Sequence, residues 1–193
     1  MELFWQGVSD WDQQLFLALN GIHSPFSDFL FKWITYKYTW TPLYLYLFYV
    51  IFKSYRREGV AIILLSLAAV ILADYFASGI MKPYFARHRP CHDPLIGHLV
   101  HNVVGCGGKF GFSSSHASTS FALATAFFLF TREKLKGMKW MFLWAAVYAY
   151  SRVAVGVHYP GDIFVGAVVG ALTSIIIVWI YFYFRQGIGI KTN

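Results

Sequence analysis

The chain has 193 residues, 58% of them hydrophobic and only 13% charged, and aromatic residues reach 20%. A soluble domain of this size carries roughly twice that charged fraction, so the composition argues against a water-soluble globule and for one helical bundle in a membrane. The formal net charge of +7 does not point to nucleic acid. Basic residues crowd the cytoplasmic loops of membrane proteins, and no polar segment interleaves basic and aromatic residues.

The N-terminus, Met1-Glu2-Leu3-Phe4-Trp5, lacks the basic start of a cleaved signal, and the polar Ser9-Asp10-Trp11-Asp12 follows too soon for an apolar signal core. Residues 10 to 20 read as an amphipathic helix lying on the membrane surface, within an interfacial segment of residues 1–25. Phe26 to Tyr38 follows as a helix entering at an angle, and Trp40 to Phe52 as an embedded stretch. Gly59 to Met81 is apolar except for Asp74, and is about long enough to cross a core of roughly 30 Å. Ala117 to Phe130, starting near Ser114, Lys139 to Val155, and Pro160 to Phe184 complete the set. The last begins with a proline suited to a helix first turn. The expected fold is therefore all-α, a polytopic transmembrane bundle of five spans, or six if the N-terminal helix inserts. A single domain covers residues 1–193.

Basic loops orient the spans. Lys53, Arg56 and Arg57, then Arg132, Lys134, Lys136 and Lys139, then Arg185 and Lys191 fall on one side, the cytoplasmic side by the positive-inside rule. The opposite face carries the long loop of residues 83–113 and the turn Gly156-Val157-His158-Tyr159. Lys82, Arg87, Arg89, Lys109 and Arg152 lie there against the rule, and an anionic ligand is a reason for them. Asp74, costly in lipid, is expected to face the bundle interior. Gly166 and Gly170 form a small-xxx-small pattern that packs the last span within its own bundle.

Alternating spans bring Lys82, His116, Arg152, His158 and Asp162 to the same membrane face. The chemistry this set supports is phosphoryl transfer. Lys82, Arg89 and Arg152 neutralise phosphate oxygens, and helix N-termini near Ser114 and Pro160 turn free N–H groups toward the same anion. Ser114 and Ser115 add donors. Ser113 is read as an ordinary N-cap. Asp162, four residues after His158, fixes the imidazole tautomer and leaves its other nitrogen to attack phosphorus. His116, on another helix, protonates the departing alkoxide. The set is complete without a metal or other cofactor.

These residues resemble a known family. Lys82-(six residues)-Arg89-Pro90, Ser113-Ser114-Ser115-His116, and Ser151-Arg152-(five residues)-His158-(three residues)-Asp162 are similar to the three signatures of the type-2 phosphatidic acid phosphatase superfamily, in its bacterial membrane branch. They cover about half the chain. The resemblance implies a histidine nucleophile at His158 assisted by Asp162, a general acid at His116, phosphate binding by Lys82, Arg89, Ser114, Ser115 and Arg152, and no metal. The middle signature usually reads Pro-Ser-Gly-His; here Ser115 puts a Cβ where glycine lets the backbone approach phosphate. Soluble vanadium haloperoxidases share the motifs, but the membrane spans argue against them, and the chain is short for a glucose-6-phosphatase-like enzyme.

The only two cysteines, Cys91 and Cys106, both lie in the 83–113 loop. Facing an oxidising compartment they would form a disulfide closing about 16 residues, worth ~3 kcal/mol in the chain-entropy model; two free thiols are the alternative. His88, His92, His98 and His101 share the loop without a zinc-ligand spacing, so no metal is expected. Gly105, Gly107, Gly108 and Gly111 suggest a movable or tightly turned edge to the site.

The sequence thus predicts a membrane lipid phosphatase in the bacterial inner (plasma) membrane with its site facing the periplasm or exterior. It would act on a lipid phosphate or diphosphate: undecaprenyl diphosphate, lipid A, phosphatidylglycerophosphate or phosphatidate. No protein partner is expected. The competing reading is an anionic-lipid binding or translocating protein without catalysis, which would need the cations but not an oriented histidine.

Overall fold

A computed structural model describes residues 2–187; Met1 and residues 188–193, Lys191 among them, lie outside the described residues. The helices are α1 (Glu2–Asn20), α2 (Pro25–Thr35), α3 (Thr41–Tyr55), α4 (Arg57–Asp74), α5 (Lys82–Phe85), α6 (Ser115–Thr131), α7 (Met141–Ala154) and α8 (Pro160–Gly187). No strand occurs among the described residues. A lone antiparallel bridge joins His88 to Phe110 across the long loop. The all-α expectation holds.

Local chemistry sets the boundaries. α2 opens on a reciprocal capping box between Ser24 and Ser27 with Pro25 in its first turn, an arrangement that satisfies amides otherwise left without partners. α4 does not stop at Asp74. It widens into π-helical turns over Tyr75–Met81 and continues as α5, the kind of irregularity found near functional sites.

The continuous helix Arg57–Phe85 and the helix Pro160–Arg185 are each long and apolar enough to cross a membrane. α3, α6 and α7 are shorter, at 15, 17 and 14 residues, or roughly 21–26 Å of helix. Both α6 and α7 stop at the residues that line the candidate site, which shortens them at that end. Leu64, Ile71, Phe164 and Trp179 on α4 and α8 are more than half exposed, an apolar surface that water would not tolerate and lipid would.

α6 is the central helix, its Ala117, Ala122, Ala124 and Ala126 fully buried. Small side chains there let α4, α7 and α8 close around it. The closest approach is to α8, as the glycine pattern predicts. A Cβ on Gly166 would fall 2.6 Å from the Ser114 carbonyl oxygen, and one on Gly170 would strike the Ser118 carbonyl.

α1 is not a free surface helix. Phe16 is wholly buried, edge-on to Tyr159 at 5.4 Å. The Asn20 amide donates to the carbonyls of His101, Val153 and Ala154 and accepts from the His101 N–H. The interfacial reading of residues 10–20 captured the exposed Trp11 face and missed the buried one.

Candidate active site

His158 sits in the turn between α7 and α8, 2% exposed, and Asp162 in the first turn of α8, fully buried. His158 Nδ1 lies 3.2 Å from Asp162 Oδ2, which also accepts the Tyr159 N–H at 3.1 Å. The other ring nitrogen, Nε2, lies 2.8 Å from Arg89 Nη1. Burial, then the charges of Arg89, Arg152, Lys82 and Arg87, hold His158 well below its ordinary pKa of 6.5. The imidazole is therefore neutral at physiological pH, with four cations around it.

Each cation has its own support. Arg89 donates through Nε to the Gly108 carbonyl and through Nη1 to that of Val157. Lys82 Nζ donates to Ser115 Oγ at 2.6 Å and to Ser78 Oγ at 3.2 Å. Ser78 donates in turn to Asp74, which gives the half-buried carboxylate of the span its partner. Arg152 Nη1 donates to Thr35 Oγ1 at 2.6 Å, while its Nε is buried with no partner among the described residues.

The serines take different positions from those the motif suggested. The N-cap of α6 is Ser114, not Ser113. Ser113 Oγ points instead to the Met81 sulfur at 3.4 Å. The Ser114 hydroxyl makes no cap bond and is buried with no partner among the described residues. Buried donors are normally satisfied, so Ser114 Oγ and Arg152 Nε are open positions for a ligand oxygen. Ser115, the residue in the usual glycine place, uses its hydroxyl to hold Lys82.

His116 stacks obliquely on Tyr148, ring centroids 5.1 Å apart, and lines a cavity of about 900 Å³ together with Arg152. One expectation is corrected. The Gly161 N–H in the first turn of α8 goes to the carboxylate of Asp12, whose Oδ1 accepts it at 2.8 Å, so this amide serves an anion of the chain itself rather than a ligand.

That contact belongs to a group the sequence did not reveal. Arg87 Nη1 bridges Asp12 Oδ2 at 2.8 Å and Asp162 Oδ1 at 3.0 Å, and its guanidinium lies over the Tyr159 ring at 4.1 Å. The Tyr159 hydroxyl donates to Asp93. The sequence marks Arg87 only as a basic residue on the unexpected side, and Asp12 only as one polar residue of a surface helix. Residues 12, 87 and 162 share no sequence spacing, so no local signal joins them. At Gly111 the tightly turned alternative holds. A Cβ there would lie 3.1 Å from both Arg89 Cγ and Asp162 Oδ2 and 3.5 Å from His158 Nδ1, so it is a packed floor rather than a mobile edge.

In the long loop, Cys91 and Cys106 are paired, their Cα atoms 5.9 Å apart. The loop histidines go separate ways. His88 stacks on Phe110, His92 contacts the Gly107 carbonyl, and His101 pairs with Asp28 at 2.9 Å while stacked on His23. His23, Asp28 and His101 bring their ligand atoms within 4.8 Å of one another, as do Cys91, His92 and Cys106.

The chain is 35% identical over 179 residues to a lipid A 4'-phosphatase of Bacteroides thetaiotaomicron, covering 91% of this chain and 77% of the relative. A relative of the same description from Porphyromonas gingivalis is 35% identical over 181 residues, covering 91% and 75%. Among solved structures, Aquifex aeolicus LpxE superposes with a TM-score of 0.65 at 27% identity, covering 86% of this chain and 93% of that one. The PAP2 superfamily profile matches residues 60–186, the stretch that contains all three motifs and the helices that bring them together, and the chain belongs to that superfamily.

Proposed function

We propose that the protein is a lipid phosphatase whose nucleophile is His158. The observation that carries the reading is the two-sided setting of this imidazole, with Nδ1 against Asp162 and Nε2 turned into a site ringed by cations. A pocket that only bound anionic lipid would need the cations but not a buried carboxylate that fixes the tautomer.

In this reading the phosphate of the substrate enters among Lys82, Arg89 and Arg152 and accepts from Ser114, Ser115 and the first turn of α6. His158 Nε2 attacks phosphorus as the bond to the lipid oxygen breaks, and His116 gives that oxygen its proton. Water then attacks the phosphohistidine with His116 taking its proton, and inorganic phosphate leaves. The cations neutralise the transferring group's charge, so no step requires a metal ion. The domain is residues 1–193, with five membrane-embedded helical segments (α3, α4–α5, α6, α7 and α8) and the N-terminal helix docked at the interface. The site faces the periplasm from the inner membrane, under the 83–113 loop pinned by a Cys91–Cys106 disulfide.

The similarity to two lipid A 4'-phosphatases at 35% identity favours a phosphate on the sugar headgroup of lipid A over phosphatidate, phosphatidylglycerophosphate or undecaprenyl diphosphate. The test is phosphate release by the purified protein from these four lipids, with and without a chelator. Turnover of lipid A that survives chelation, together with loss of turnover and of an acid-labile phosphoenzyme in His158→Ala, is expected. Full activity in His158→Ala would refute the nucleophile, and loss on chelation restored by a divalent ion would refute the metal-free step.

A further inference from the structure

The cavity lined by His116 and Arg152 is also lined by α2 and the residues just after it, Lys32, Trp33 and Lys37 among them, and by residues 103–107. We propose that this groove holds the portion of the substrate headgroup beyond the reacting phosphate, and that Lys32 and Lys37 bind a second anionic substituent on it. The inference rests on the phosphatase reading above and specifies the substrate class: a phosphorylated saccharide lipid with two anionic groups.

Size is the first argument. About 900 Å³ lies in the range of sites that enclose whole drug-sized molecules, roughly 300–1,000 Å³, far more than one phosphate fills. Continuity is the second. Thr35 of α2 accepts from Arg152 at 2.6 Å, so the helix that forms the groove wall also sets the cation at its inner end. The Nε of the same arginine is buried without a partner.

The walls are fixed rather than loose. α2 is held by its capping box and by the Asp28–His101 pair at 2.9 Å. The opposing loop is held by Asn102, whose Oδ1 accepts the Gly105 N–H at 2.6 Å, and by the Cys91–Cys106 pairing.

The chemistry of the lining is the third argument. Lys32 and Lys37 line the groove together with the exposed Trp33 and Tyr36, and Lys37 Nζ lies 5.0 Å from the Tyr38 ring centroid. Such a lining complements a sugar ring with an anionic substituent, the ring's C–H face on an aromatic and the anion on the lysines. Exposed aromatics and lysines also anchor helices at membrane interfaces. An anchoring role would make their loss equal for every substrate.

The test compares a glucosamine-disaccharide bisphosphate lipid with phosphatidate, which carries one phosphate and no sugar. In the Lys32→Gln/Lys37→Gln protein, kcat/KM for the bisphosphate lipid should fall at least ~10-fold more than for phosphatidate, since its second anion loses charge-assisted hydrogen bonds. The excess should reside in KM. Equal falls on both lipids, or none, overturn the subsite. A binding arm separates this from the catalytic reading. Titration of the deacylated disaccharide bisphosphate into His158→Ala protein should weaken about 10-fold when both lysines become glutamine. Unchanged binding there overturns the subsite, whereas a wild type that turns over neither lipid but shows the weakening upholds the groove and sinks the phosphatase.

Discussion

Arg89 Nη1 lies 2.8 Å from His158 Nε2, so a cation sits against the nitrogen proposed to attack phosphorus. In the proposed reaction the same guanidinium neutralises the transferring phosphoryl group. Arg89→Ala should lower kcat/KM by about 10²–10³, the scale of losing a preorganised charge-stabilising donor. Arg89→Lys should recover only part, because a single ammonium does not reproduce the fork. Steady-state kinetics on one lipid phosphate decides it, and an effect under threefold would remove Arg89 from the site.

The depressed pKa of His158 has a definite sign. Its neutral form is the attacking form, so activity governed by this group falls only as pH drops well below 6.5, the ordinary value. The acid limb of kcat/KM should lie clearly below pH 6.5 and move upward in Arg89→Ala, which removes the largest of the lowering charges. The same shift bears on stability. The folded protein resists protonating His158 and the unfolded chain does not, so this contribution is complete above about 6.5 and is lost as pH falls toward the folded value. An acid limb at or above 6.5 would contradict the assignment.

Asp12 acts at a distance from phosphorus. It pairs with Arg87 and caps Gly161, and Arg87 in turn holds the Asp162 carboxylate. Asp12→Ala should reduce kcat about 10-fold or more with little change in KM, because the loss falls on the orientation of Asp162 and His158 rather than on lipid binding. Asp12→Asn keeps an oxygen for Gly161 while losing the ion pair. It should retain more stability than Asp12→Ala, with a comparable loss of kcat. Thermal unfolding measured beside kinetics checks both halves.

Gly166→Leu should be among the most damaging single changes outside the site. Even a Cβ would lie 2.6 Å from the Ser114 carbonyl, so α6 and α8 must separate, at a cost of about 1–3 kcal/mol or more. Ser114 moves with that carbonyl, so activity should fall further than the loss of folded protein accounts for. Gly137→Ala, where nothing lies near the added carbon, is the control.

Much of the fold was legible because hydropathy and basic loops act along the chain. α6, α7 and α8 begin and end within a few residues of the apolar stretches, and Gly166 and Gly170 announced close packing. The motif residues were legible because each sits at a helix end and alternation alone carries those ends to one face. What stayed hidden depends on contacts between distant segments. Nothing local in Asp12 or Arg87 marks them as partners, and nothing near Gly111 shows that His158 and Asp162 rest against it. Ser115 could be noted as a departure, but its compensation, the bond to Lys82, is visible only once the π-helical turns of residues 75–81 present Ser78 and Lys82 to it.

The bond between Asp12 and Gly161 spans 149 residues, joining the first helix to the last. During synthesis the N-terminal helix therefore emerges long before the helix it must cap, and has to wait near the growing bundle while α3 through α7 are laid down. His158 and Asp162 arrive with that final helix, and only then can Arg87 close between the two carboxylates. The site is thus complete only once α8 has been made, so a chain released before His158 is added holds Lys82, Arg89 and Arg152 but lacks the proposed nucleophile and its carboxylate partner.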